Sequence, residues 1–150
     1  MIENAIYHLL DMTVDDWLRN PSYNIPFEVK RGFVYFAGYV ERWLTEKYEY
    51  KNEWVMNDDV FMRIFNDSPI DENHRKISLR VSFHRNFIEV CYEGVMICNM
   101  YISTAKAPVV GFRSVTDAWY KTRAWDEVHK IQEAFGHLFR NTFKEENIHE

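Results

Sequence analysis

The chain has 150 residues, 25 of them aromatic, with 47% hydrophobic residues and only 5 Gly and 4 Pro. That length suits one domain over residues 1–150, burying roughly 70% of its unfolded surface, and the composition excludes a disordered or low-complexity polymer. A formal charge of −5 excludes a uniformly basic nucleic-acid binder. Two cysteines, Cys91 and Cys98, cannot build a disulfide framework or a four-cysteine zinc site. The longest uncharged stretches, Gly32 to Val40 and Gly94 to Ala105, fall short of the roughly 18 residues of a membrane span. No Lys or Arg precedes Arg19, so no secretory signal is expected, and the cytoplasm is the expected compartment.

Helical signals come first in chain order. Ile2, Ile6, Leu9 and Leu10 form a short amphipathic stretch, Thr13 resembles an N-cap before Val14-Asp15-Asp16, and Pro21 ends the segment. Asn24 and Pro26 then resemble a helix start. Phe33, Phe36, Ala37, Val40, Trp43, Leu44 and Tyr48 follow at helical spacing. A further short helix is expected from Asn57 to Asn66.

From Lys76 the period drops to two. Ile77, Leu79, Val81 and Phe83 alternate with Ser78, Arg80, Ser82 and His84, as in a half-buried strand. Two-residue turns at Arg85-Asn86 and Glu93-Gly94 give a three-stranded antiparallel meander over about 76–103. Its core face carries Phe83 opposite Ile88, Val81 opposite Val90 and Leu79 opposite Tyr92, with Val90 then meeting Ile97. The second face carries the rows Arg80-Cys91-Met96, Ser82-Glu89-Cys98 and His84-Phe87-Met100, with Ile102 beyond. A helix of the chain or another chain, including a second copy, is expected to cover Met96, Met100 and Ile102. Ser114 or Thr116 can cap a long final helix whose buried stripe is Trp125, Val128, Ile131, Phe135, Leu138, Phe139 and Thr142, with Ala118 and Trp119 upstream. N-terminal helices, a meander and a C-terminal helix make an α+β domain.

No complete catalytic, metal or cofactor motif is present, and no cofactor is expected. His129, Glu133 and His137 stand at i, i+4 and i+8, yet they point away from the buried stripe and read as a solvated row. Cys91 and Cys98 share a face but sit diagonally, too far apart for an unstrained bridge, and read as reduced structural thiols. The most enzyme-like cluster is Arg80, Ser82, His84 and Glu89, in which Glu89 could orient the imidazole for general-base work.

Charge is segregated along the chain. Residues 1–72 carry 7 basic and 14 acidic side chains, residues 73–123 carry 8 and 3, and residues 124–150 carry 3 and 6. Arg75, Lys76, Arg80 and Arg85, with His74 and His84, form an acid-free basic run from Asn73 to Asn86. Either acidic helices neutralise it internally or it is a local site. The candidate binding residues are therefore Arg75, Lys76, Arg80, His84, Arg85, Met96 and Met100. The leading expectation is a non-enzymatic module acting by protein–protein contact, of inhibitor, immunity or accessory type, compatible with a phage or mobile-element origin. Nucleic-acid or phosphate binding through residues 73–86 stands second, and a small hydrolase or nuclease using His84 and Glu89 third.

Overall fold

Pro26 opens the first long helix, α1 (Phe27–Lys47), its carbonyl accepting hydrogen bonds from the amides of Val29 and Lys30 at 3.1 Å. Ahead of it Asn24 turns the chain at a φ of 51°, a conformation asparagine tolerates. These residues belong to a computed structural model that describes residues 17–19, 24–50, 54–57, 59–66, 76–114 and 125–143. The expected helical turns before Trp17, the caps at Ser114 or Thr116, and Ala118-Trp119 lie wholly or partly outside those residues. Residues 17–19 are helical.

After α1 come β1 (Glu49–Tyr50), β2 (Val55–Asn57), β3 (Val60–Asn66), β4 (Lys76–Ser82), β5 (Phe87–Tyr92), β6 (Val95–Ile102), β7 (Pro108–Phe112) and the final helix α2 (Trp125–Thr142). The fold is α+β. Strands β3 to β7 form a consecutive antiparallel run of five, and both short strands, β1 and β2, pair with β3. The expected three-stranded meander is thus the centre of a wider sheet.

The stretch from Asn57 to Asn66, expected to be helical, is strand. Phe61, Arg63 and Phe65 face the core opposite Val81, Leu79 and Ile77, while Met62 and Ile64 point the other way. Arg63 is buried there and forms an ion pair with buried Glu41 of α1, whose Oε2 also accepts from the Thr45 hydroxyl at 3.1 Å. A cation on the inner face and apolar residues on the outer one erase the alternation that marks a strand.

Both helices lie on the sheet face that carries Phe65, Ile77, Leu79, Val81, Ile88 and Val90, all fully buried. Phe36 of α1 meets Phe135 of α2 edge-on at 4.8 Å, and Trp17, Phe33 and Phe83 form a second aromatic group. Gly32 makes room for Phe143: a Cβ there would fall 2.5 Å from the ring. Trp125, placed by periodicity in the buried stripe of α2, is instead 41% exposed and lies 4.5 Å from the His129 ring.

Two register differences reshape the meander. The first hairpin has a four-residue turn, Phe83 to Asn86, closed by Asn86 at a φ of 58° and by a 3.0 Å hydrogen bond from the Arg85 amide to Ser82 Oγ. Val81 therefore pairs with Ile88 and Leu79 with Val90. The extra residues come evenly from both strands, so every side chain keeps its expected face.

The second hairpin starts as expected, with Tyr92 opposite Val95 and Cys91 opposite Met96. A β-bulge then intervenes, and Val90 pairs with Cys98 rather than Ile97. One extra residue reverses the remainder of β6. Cys98, Met100 and Ile102 join the core, and Met100 is wholly buried among the chain's own residues. The bulge is tied down by its carbonyl: Ile97 O accepts from the Arg113 amide at 2.8 Å and from Gln132 Nε2 of α2 at 2.9 Å. The same Gln132 amide also donates to Arg113 O at 2.9 Å.

Candidate functional site

With both helices on one face, the opposite face of the sheet carries the side chains the core does not use. The register arranges them in three rows. Ser82, Phe87, Tyr101 and Val109 form the first. Met62, Arg80, Glu89, Asn99 and Gly111 form the second. Ile64, Ser78, Cys91 and Met96 form the third. Most are half-buried, Tyr101 is 40% exposed, and Ser82 and Cys91 are buried.

The middle row sets the electrostatics. Arg80 contacts Glu89 at 3.3 Å directly across the β4–β5 ladder. Burial lifts the Glu89 carboxyl above its ordinary value, against the pull of Arg80 and Arg85. Gly111 lets the Asn99 amide lie close over β7, because a Cβ there would stand 2.7 Å from Asn99 Oδ1. In the row beside it, Phe87 and Tyr101 face one another across β5 and β6, and the Arg85 guanidinium lies 5.9 Å from the Phe87 ring.

The expected site residues are dispersed. Arg75 lies outside the described residues. Lys76 is exposed at the start of β4. Arg85 grips Asp59 through two hydrogen bonds of 3.0 and 2.8 Å, which hold the Asp59 carboxyl below its ordinary value. His84 is exposed on the turn, and the carboxylate its charge bears on is also Asp59. Glu89 stands opposite Arg80 rather than Ser82, so the expected His84–Glu89 arrangement does not form around the serine. Met96 is exposed, whereas Met100 is part of the core. The sheet thus splits the two methionines expected on one surface.

Both cysteines are free and buried. Cys91 faces the Arg80 side and Cys98 the core, because the bulge separates them. Burial pushes both thiols up, Cys98 well up. For Cys91 the Glu89 charge adds to burial, and hydrogen bonds from Arg80 and Ser78 only partly offset it. Neither is poised as a nucleophile. On α2, Glu133 and His137 are exposed as the periodicity implied, and His137 contacts Asn141 at 3.1 Å. Among the described residues no group of three ligand-type side chains could hold a metal ion. Nor is any described helix long and apolar enough to cross a membrane.

Asn99 and Tyr101 escaped sequence reading because the bulge inverts them. The Arg63–Glu41 pair escaped because nothing local marks a charge as buried. No family model, curated protein or solved structure matches the chain.

Proposed function

We propose that the protein is a non-enzymatic binding module that presents the open face of its sheet to a protein partner. The observation that carries this reading is the make-up of that face. Met62, Ile64, Phe87, Tyr101 and Val109 surround an Arg80–Glu89 pair, with both described helices packed on the opposite side. Aromatic residues, Met and Arg are the types enriched at the centres of protein interfaces, and Tyr and Arg dominate their energetics. An inhibitor, immunity or accessory role fits such a surface. Raised thiol pKa values and a histidine set beside Asp59 supply no activated nucleophile, which favours binding over hydrolysis.

The test is isolation of the protein with its partner from the native source, run in parallel for wild type and Tyr101→Asp. A partner retained by wild type and lost by the folded variant supports the proposal. Retention by both overturns it. A second reading rests on the opposed Phe87 and Tyr101 rings beside Arg85, which could stack nucleic-acid bases. Its cations are already engaged, Arg80 with Glu89 and Arg85 with Asp59. Low-salt binding of a single-stranded oligonucleotide, lost in Phe87→Ala, would favour that reading instead.

A further inference from the structure

The two edges of the sheet are finished differently. Strand β3 is covered on its outer side by β1 and β2, whereas β7 pairs only with β6 among the described residues. The bonds Ser103 N to Ala107 O and Arg113 N to Ile97 O, both 2.8 Å, fix which β7 groups point inward. By alternation Val109 and Gly111 bond to β6, and Pro108, Val110 and Phe112 turn their main-chain groups outward. The amides of Val110 and Phe112 and the carbonyls of Pro108, Val110 and Phe112 therefore form a short open ladder.

We infer that this edge is a strand-addition site for an extended, acidic-flanked peptide segment of a partner protein. Natural edge strands are usually blunted by charge or proline. Here no side chain from Pro108 to Phe112 is charged, and the single proline removes only the first outward donor. The surroundings supply the charge preference. From Gly94 to Thr116 the chain carries no acid, while Lys106 and Arg113 stand at the two ends of β7. Arg140 of α2 lies near the exposed ring of Phe112, both abutting Gly136. This is a basic rim on an acidic protein, and it complements a strand with carboxylates at its ends.

The same charges reject a second copy. Antiparallel self-pairing about Val110 would bring Lys106 beside the mate's Arg113, and pairing about Phe112 would set the two Arg113 side chains diagonally. Like charges so placed oppose pairing. The inference does not depend on the open-face proposal, since main-chain groups of the edge carry it.

The probe is a synthetic peptide, Glu-Asp-Val-Thr-Val-Thr-Val-Glu-Asp, followed by amide hydrogen exchange and NMR shifts on the full chain. Protection of the Val110 and Phe112 amides is expected. Affinity should fall about tenfold or more for a peptide with lysines in place of its acids, and likewise for Val110→Pro, which removes an outward donor the sheet does not use. If Val110→Pro does not fold, the same peptide N-methylated at alternate residues tests the ladder from the other side and should lose binding equally. Absence of protection at millimolar peptide, equal affinity for the lysine-flanked peptide, or tolerance of N-methylation overturns the inference. So does self-association of the chain through this edge.

Discussion

The two faces of the sheet are built from the same strands yet obey different rules. On the helix side Ile77, Leu79, Val81, Ile88, Val90 and Met100 are fully buried, and the one cation admitted, Arg63, is matched by Glu41. On the open side polar and apolar residues alternate, and the Arg80–Glu89 pair stays partly in water. The first face is governed by volume and by the cost of an unpartnered charge. The second is governed by what it can offer to a partner.

Neighbouring residues of β6 give the sharpest test of that contrast. Met100→Asp places a carboxylate in the core and should destabilise the fold by about 4 kcal/mol or more, enough to leave much of the protein unfolded. Tyr101→Asp, one residue on and facing outward, should cost about 1 kcal/mol or less. Urea unfolding of both variants decides it. Equal losses would mean that the open face contributes as much to stability as the core does.

Glu41→Ala comes next. It leaves Arg63 buried without its carboxylate and should cost about 3–5 kcal/mol, whereas Glu41→Leu combined with Arg63→Met should recover most of that loss. A double variant as unstable as the single one would refute the account of Arg63 as a tolerated rather than a required charge. Gln132→Leu withdraws the side-chain donor from the Ile97 and Arg113 carbonyls. A loss of about 1–2 kcal/mol is expected by thermal unfolding, with faster amide exchange around the bulge.

The smallest effect is a pH dependence with opposite signs at two carboxylates. Glu89 has its folded value raised by burial, so the native state holds its proton more tightly than the unfolded chain does. Its contribution improves as pH falls toward the ordinary value of 4.5 and worsens as pH rises through the folded value. Asp59 has its folded value lowered, first by its hydrogen bond from Arg85, so its contribution is present above its ordinary value and fades as pH falls. Glu89→Gln should therefore be at least as stable as wild type at neutral pH, and Asp59→Asn should be less stable. Melting temperatures from pH 3 to 8, a range chosen to bracket about two units around ordinary carboxylates, check both signs.

Elements with one clean periodicity were legible in the sequence. The α1 stripe, the centre of the α2 stripe and the inward set of β4 and β5 all follow from spacing, because each has one apolar and one polar side. The four-residue turn did no harm to that reading, since it moved the register by an even step. What stayed hidden were cases in which one residue carries non-local information. Arg63 disguises β3 as something other than a strand until Glu41 is seen beside it. Ile97 looks like an ordinary strand residue until the Gln132 amide is seen holding its carbonyl. The candidate site suffered most, because half of the open face lies beyond that bulge.

The bulge also decides how this chain can change length. Deleting Ile97 would allow an unbroken ladder between β5 and β6, but it would turn Asn99 and Tyr101 toward the helices and Cys98, Met100 and Ile102 toward solvent. Beyond the bulge, insertions and deletions in β6 are therefore filtered by parity. A single-residue indel demands a new core and a new outer surface together, while a compensated pair leaves both intact. Substitution and length change are thus unequal routes for this strand. Its sequence can drift one position at a time, but its length can move only in steps of two.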